Sequence, residues 1–221
     1  MDDDFAERRQ LMVREQIAAR GIGDGAVLAA MRRVPRERFV AADLHGRAYE
    51  DSPLPIAEGQ TISQPYIVAL MLDAALLRPG DRVLEVGAGS GYACAVASLI
   101  GKRVYAIERH APLAAQARER LTGLGYANIE IRCGDGSSGW HEAAPFDAIL
   151  VAAGGPRVPK PLREQLTIGG RLVMPVGDAA GFQRLVQVTR RAIDDFVEVD
   201  FGGVAFVPLI GEYGWAADVG G

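Results

Sequence analysis

Cysteine, histidine and aromatic residues are all scarce in this chain, and each scarcity removes a class of chemistry. There are two cysteines, Cys94 and Cys133. That is too few for a disulfide framework, and both fall in apolar surroundings, so they are expected to be packing residues in a reducing compartment. Cys94 lies near a helix start, which can activate a thiol, but packing is the expected role. The three histidines, His45, His110 and His141, are scattered without metal-ligand spacing; surface positions are expected and no metal site. Aromatics make up 7% of the residues, and Trp140 and Trp215 are expected to pack rather than stack on bases. There is no basic excess either. Lys plus Arg number 24 against 28 Asp plus Glu, a net charge of -4, which speaks against a nucleic-acid partner. No apolar run is long enough to span a bilayer. The acidic opening Met1-Asp2-Asp3-Asp4 lacks a secretory pattern. The expected location is the cytoplasm, with no membrane partner.

What is present is a core. Hydrophobic residues are 49% of 221, enough for one globular domain. Its pattern changes along the chain. Residues 1–78 read as helices and loops, 79–177 as alternating strands and helices, and 178–221 as late strands with a closing segment. A helix is expected over 5–20, stopped by Gly21. A second follows Asp24, a plausible N-cap, and ends before Pro35. The arginines between Arg32 and Arg38 read as a solvated face that could steer an acidic peptide. Residues 39–63 show no periodicity, and a loop that long in a compact domain is often functional. Gln64-Pro65 opens another helix, with Ile67, Leu70, Met71 and Ala74 on its buried face. Beyond the turn at Pro79-Gly80-Asp81, strands are expected at 82–86, 103–107, 129–133, 148–152 and 170–176. Helices fall between them after Gly91, at 111–124 and at about 161–166. This alternation predicts an α/β architecture, a mostly parallel central sheet with helices on both faces and an N-terminal helical extension. Segments 183–189, 196–200 and 204–207 read as late strands, partly antiparallel.

The strongest local motif is Glu85-Val86-Gly87-Ala88-Gly89-Ser90-Gly91, between a strand and a helix. Glycines let the chain turn sharply and let a ligand approach the backbone, while the helix start leaves N–H groups free. A ligand-free turn is the plainer alternative, set against three alternating glycines and a strand-end acid. A dinucleotide fingerprint needs glycine where Tyr92 stands, and Glu85 is a poor neighbour for a pyrophosphate. An acid there suits a ligand with a positive amino group, as in S-adenosylmethionine. The E-x-G-x-G-x-G run resembles the first motif of the Rossmann-like S-adenosylmethionine-dependent methyltransferases. Glu108 ends the next strand, where a carboxylate can accept hydrogen bonds from ribose hydroxyls; a surface Glu beside Arg109 is the simpler alternative. Gly134-Asp135-Gly136 follows the third strand, with Asp135 placed to accept from an adenine amino group, or to make an ordinary turn. Three acids at three successive strand ends point to one ligand beyond the carboxyl edge of the sheet.

The N-terminal region addresses the substrate. The runs Val34-Pro35-Arg36-Glu37-Arg38-Phe39-Val40, Ala48-Tyr49-Glu50-Asp51, Leu54-Pro55-Ile56 and Gly59-Gln60-Thr61-Ile62-Ser63-Gln64-Pro65 resemble the protein-L-isoaspartate O-methyltransferases. Gly134-Asp135-Gly136, Pro145-Phe146-Asp147-Ala148-Ile149, Pro175-Val176-Gly177 and Phe206-Val207-Pro208-Leu209 match in order, so the similarity spans roughly 15–215. The resemblance implies S-adenosylmethionine as cofactor, S-adenosylhomocysteine as product, and a methyl ester on the free carboxylate of isoaspartyl (or, less well, D-aspartyl) residues in damaged proteins and peptides. It makes Ser63 the active-site residue. Gln60, Thr61, Ile62, Tyr66, Glu85, Gly87, Gly89, Gly91, Glu108, Asp135 and Gly136 fall on the cofactor side, and Thr61, Ser63 and Val207 on the substrate side. The segment after Leu209 is expected to fold back over the site, and the protein to act as a monomer. One departure stands at Val151-Ala152-Ala153-Gly154-Gly155-Pro156, where the family carries a Thr-Ala-Ala type sequence. It loses a hydroxyl and leaves open a relative acting on another peptide carboxylate. A silent cofactor-binding module and an NAD-dependent oxidoreductase are the remaining readings. Ser63 could also be an N-cap for the helix at Pro65.

Overall fold

The computed structural model describes residues 2–178 and 182–217. Met1 of the acidic opening, residues 179–181 and the end of the expected closing segment, 218–221, lie outside the described residues. The first helix, α1 (Asp2–Leu11), runs on through a π-helical turn, Met12–Ile17, and a 3-10 turn, Ala18–Arg20, to Gly21 at φ 97°. The helical path is the one expected from residues 5–20, but it is not uniform. In the wider π turn, residues five apart align, and Met12, Val13 and Ile17 are all buried together. Helix α2 (Gly25–Arg33) starts on Asp24, whose carboxylate accepts from the backbone N–H of Ala26 and Val27, both at 2.9 Å.

Residues 39–63 hold elements too short to show periodicity: a 3-10 turn at Ala42–Arg47 and a two-stranded antiparallel sheet of β1 (Leu54–Pro55) and β2 (Thr61–Ile62). Helix α3 (Pro65–Ala74) follows. Its most buried positions are Val68, Ala69, Met71, Leu72 and Ala74, while Ile67 and Leu70 are half-buried. The buried face is rotated from the expected one because α3 packs against both α2 and the π turn.

The central sheet has seven strands in the order β5-β4-β3-β6-β7-β8-β9. These are β3 (Arg82–Val86), β4 (Arg103–Glu108), β5 (Ile129–Cys133), β6 (Phe146–Val151), β7 (Leu166–Gly177), β8 (Gln183–Arg190) and β9 (Phe196–Val204). Pairings from β5 to β7 are parallel, and β8 and β9 add antiparallel. The interleaved helices are α4 (Tyr92–Ser98), α5 (Ala111–Gly123) and α6 (Lys160–Glu164). Alternate residues serve opposite faces, as the period of a strand requires. Val83, Val104, Ala106, Ala148 and Leu150 join a core with residues of α2 to α5. Leu84, Tyr105, Ile107, Ile149 and Leu172 join a second core with Leu162 of α6, Trp140 and Leu209. Trp140 packs edge-on to Tyr105 at 5.5 Å between centroids, the packing role expected of it. No helix among the described residues is long and apolar enough to cross a membrane.

Several local expectations give way to tertiary context. Residues 205–207 leave the sheet instead of forming a strand with Val204. The backbone of Phe206 is satisfied by a side chain: the Gln183 amide donates to its carbonyl at 3.1 Å and accepts from its N–H at 2.9 Å. Cys133 is exposed, not packed, because β5 is an edge strand. Of the supposed solvated arginines, Arg32, Arg33 and Arg38 are exposed, but Arg36 is completely buried.

The two ends of α3 are tied to different parts of the chain. At its start, Asp51 accepts from the Tyr66 N–H at 3.1 Å and from the Gln64 side chain at 3.3 Å. At its end the carbonyls beyond the last turn are taken by side chains from the sheet: Gln187 donates to Ala74, and Arg171 to Ala75 and Leu76. Arg171 also pairs with Asp81 at 3.1 Å, both side chains nearly buried. Arg171→Ala should therefore strand a carboxylate and two carbonyls and lower unfolding free energy by about 3 kcal/mol, read from urea denaturation curves.

Candidate active site

The order of parallel strands reverses between β3 and β6, and the chain leaves their carboxyl ends in opposite directions. A crevice is the necessary result. Here it is a cavity of about 670 Å³. Its walls come from the 59–64 segment, the glycine loop after β3, the end of β4, the loop after β6 and the segment 205–210.

The glycine loop is a run of backbone that L side chains resist. Gly87, Gly89 and Gly91 have φ of 90°, 52° and 87°. Strand β4 holds the loop in place: the Ile107 carbonyl accepts from Gly87 N–H at 2.8 Å, and the Glu108 carboxylate accepts from Gly89 N–H at 2.8 Å and from His110 N–H at 2.9 Å. Glu108 is thus no surface partner of Arg109; it is buried, with lone pairs left over on both oxygens. Glu85 lies beside the loop, 1% exposed, and its Oε2 has no hydrogen-bond partner. Burial pushes its pKa up to about 8, against a hydrogen bond from Cys94, and the nearby charge of Glu108 adds to the rise. The Cys94 thiol is itself pushed well up by burial and by Glu85, so it is a packing donor and not a thiolate.

Ten of the residues singled out from the sequence line this one cavity: Gln60, Thr61, Ile62 and Ser63 from the N-terminal region, Glu85, Gly87, Gly89, Glu108 and Gly136 from the sheet edge, and Val207 opposite. Three do not. Gly91 faces α5, where an added Cβ would lie 3.0 Å from Leu121. The Tyr66 ring sits under the Arg20 guanidinium, 3.4 Å from Cζ to centroid. The Asp135 carboxylate is engaged by its own turn and by the segment after Leu209: Oδ1 accepts from the N–H and hydroxyl of Ser137, and Oδ2 accepts from Glu212 N–H at 2.8 Å. Ser63 is not the N-cap of α3. That position is Gln64, and Asp51 supplies the acceptor, so the Ser63 hydroxyl is not consumed by capping. Sequence reasoning missed Ser90, Ile107, His110, Phe206 and Leu209, which also line the cavity. His110 is half-buried at the wall, its Nδ1 3.7 Å from Glu58, and no spacing signal marked it. Among the described residues, no group of three or more His, Cys, Asp or Glu side chains could hold a metal ion.

The family profile described as Protein-L-isoaspartate(D-aspartate) O-methyltransferase (PCMT) matches residues 7–214. The chain belongs to this family. A Methylorubrum extorquens protein-L-isoaspartate O-methyltransferase is 59% identical over 216 residues, covering 98% of this chain and 94% of its own. A Marinobacter nauticus protein-L-isoaspartate O-methyltransferase 2 is 53% identical over 212 residues, covering 96% and 97%. Among solved structures, a Plasmodium falciparum protein-L-isoaspartate O-methyltransferase in complex with S-adenosyl-L-homocysteine superposes with a TM-score of 0.79 at 26% identity, covering 91% of this chain and 98% of that one.

In this chain the loop after β6 has a specific steric role. Gly154 donates to the Val207 carbonyl, and its own carbonyl accepts from Leu209 N–H at 2.8 Å and from the Trp215 indole at 3.0 Å. A Cβ at Gly154 would lie 2.5 Å from the Gln183 amide nitrogen. The glycine leaves room for this close approach, and it lets Gln183 reach Phe206.

Two outcomes follow. Gly154→Ala should displace Gln183 and cost about 1–3 kcal/mol, with a fall in peptide affinity larger than the fall in cofactor affinity, measured by calorimetry. For Glu85, the folded pKa is raised, so its stabilising contribution is full below about 4.5 and is lost as pH rises towards about 8. The ligand-free protein should accordingly lose stability across that window, and Glu85→Gln should flatten the slope in thermal melts run from pH 4.5 to 8.5.

Proposed function

We propose that this chain acts as a protein-L-isoaspartate (D-aspartate) O-methyltransferase, esterifying the free carboxylate of isoaspartyl residues in damaged proteins and peptides with S-adenosylmethionine. One observation carries the reading beyond family membership: the 60–63 segment, the glycine loop and Val207 share a single cavity. The residues fit the cofactor. Its ammonium answers the unpartnered Oε2 of Glu85, which a neutral ligand would leave buried and unsatisfied. Glu108 has lone pairs for ribose hydroxyls, and the positive-φ glycines allow close backbone approach. Gly136 lies on the same wall, and Gln60, Thr61 and Ile62 face it from the N-terminal region. In this reading residues 79–177 grip the cofactor, 1–78 present the peptide, and 178–221 close the site.

When bound, S-adenosylmethionine supplies an electrophilic methyl group on a sulfonium. The residues of the chain have a modest task, because a carboxylate with a pKa of about 4 is already ionised at neutral pH and needs no general base. Ser63, with Thr61 beside it, orients the peptide carboxylate by hydrogen bonding. Ile62, Val207 and Leu209 supply apolar walls that exclude water. In a dry pocket opposite charges neutralise each other as the bond forms, so the transition state gains over separated ions. The protein acts as a monomer in the cytoplasm, without nucleic-acid or membrane partners.

The experiment pairs an isoaspartyl peptide with its aspartyl isomer and labelled S-adenosylmethionine. Base-labile label on the isoaspartyl peptide alone is the expected result; label on neither, with cofactor bound, identifies a silent binding module. Ser63→Ala should lower turnover about 10- to 100-fold and leave cofactor affinity unchanged.

A further inference from the structure

Arg36 heads the fully buried side chains by size, at 0% exposure. None of the ion pairs among the described residues includes it. A cation taken out of water without an anion is costly; two of its three nitrogens have acceptors, and Nη1 has none among the described residues. Nε donates to the Ala48 carbonyl at 2.8 Å, and Nη2 donates to the Ser63 carbonyl at 2.8 Å. The guanidinium lies over the Tyr92 ring, 4.7 Å from Cζ to centroid. Tyr92 opens α4 at the end of the glycine loop and lines the cavity. One side chain thus touches the peptide-side segment and the first residue of the cofactor-side helix.

The geometry points to Arg36 as a positioning residue for the transfer: by gripping the Ser63 carbonyl it fixes the peptide plane between Ser63 and Gln64, and with it the direction of the Ser63 hydroxyl. This rests on the reading of Ser63 given above. Three neighbouring backbone positions at the start of α3 are settled by other means. Gln64 O accepts from Ile67 and Val68, Pro65 has no N–H, and Tyr66 N–H goes to Asp51. The Ser63 carbonyl precedes the helix and has no helical donor. Without Arg36 the plane could turn while the helix behind it stayed intact. A planar fork reaches two carbonyls on different segments while its central carbon lies over a ring; a lysine ammonium, a single point on a flexible stem, cannot do all three.

The test uses Arg36→Met, which keeps the stem and removes the donors, and Arg36→Lys, which keeps the charge. Each is made alone and together with Ser63→Ala. kcat and KM are measured with an isoaspartyl peptide, Kd with S-adenosylhomocysteine, and Tm by calorimetry. Arg36→Met should lower kcat about 10- to 100-fold, the effect of misplacing a positioning group by about 1 Å, with Kd for S-adenosylhomocysteine within about twofold. Arg36→Lys should fall between. Ser63→Ala should cost its full factor in the wild-type background and little more in the Arg36→Met background, since both remove one device. Wild-type kcat in a folded variant, whatever its Tm, or losses that multiply, overturns the inference. If Arg36→Met does not fold, the same comparison in Arg36→Lys decides it by the same criteria. A wild-type protein that methylates no isoaspartyl peptide overturns the functional reading and this inference with it. An active wild type whose Arg36 variants match it in kcat overturns this inference alone.

Discussion

A carboxylate buried at the floor of a crevice, with one oxygen facing no donor, is the constraint around which this site is organised. Glu85 sits near the ends of β3 and β6, 1% exposed, and none of the ion pairs among the described residues includes it. An ionised carboxylate in that position is expensive, so the group resists ionisation. In the proposed reading, that cost is relieved by a ligand that brings its own positive charge. The neighbouring Glu108 does a different task with the same functional group. It is engaged by two backbone N–H groups and holds the glycine loop in its turn. Two carboxylates on adjacent strands thus acquire separate roles from their surroundings alone.

The second half of the site depends on a helix whose ends are fixed from opposite directions. Helix α3 carries Ser63 just ahead of its first turn. Asp51 and Arg36 hold the leading end from within the N-terminal region. Arg171 and Gln187 hold the trailing end from β7 and β8. Helix termini leave backbone groups without partners, and here long polar side chains from distant parts of the chain supply them. The same economy appears at Phe206, where the Gln183 amide replaces a neighbouring strand. The segment after Leu209 is held likewise, by Asp135 at one point and by the Gly154 carbonyl at another.

Residue by residue, what was legible in the sequence divides by range. The helix stop at Gly21, the cap at Asp24 and the βα alternation rest on local patterns and appear where expected. The positive-φ glycines of the loop after β3 are where a sharp turn before a helix needs them. Asp135 shows where such reasoning ends. An acid after a strand is a plausible ligand acceptor, yet its two oxygens are engaged by Ser137 and Glu212, the latter 77 positions on. Arg36 shows the same failure in sharper form. An arginine among three other arginines reads as solvated, and no local signal distinguishes the one that folds inward. Cys133 failed because edge and interior strands carry similar apolar runs, and only the strand order separates them.

The sequence by itself determined the alternating architecture, the crevice-forming glycine run and the family to which the chain belongs, because backbone sterics and hydrophobic period act over a few residues and leave their mark in local order. Only the tertiary structure decided which polar groups face the crevice and which are spent elsewhere. Hydrogen-bond satisfaction is settled between segments tens of residues apart: Arg36 with Ser63, Gln183 with Phe206, Arg171 with the end of α3. A buried polar group must find its partner wherever the fold brings one, and that pairing is written in no short stretch of chain.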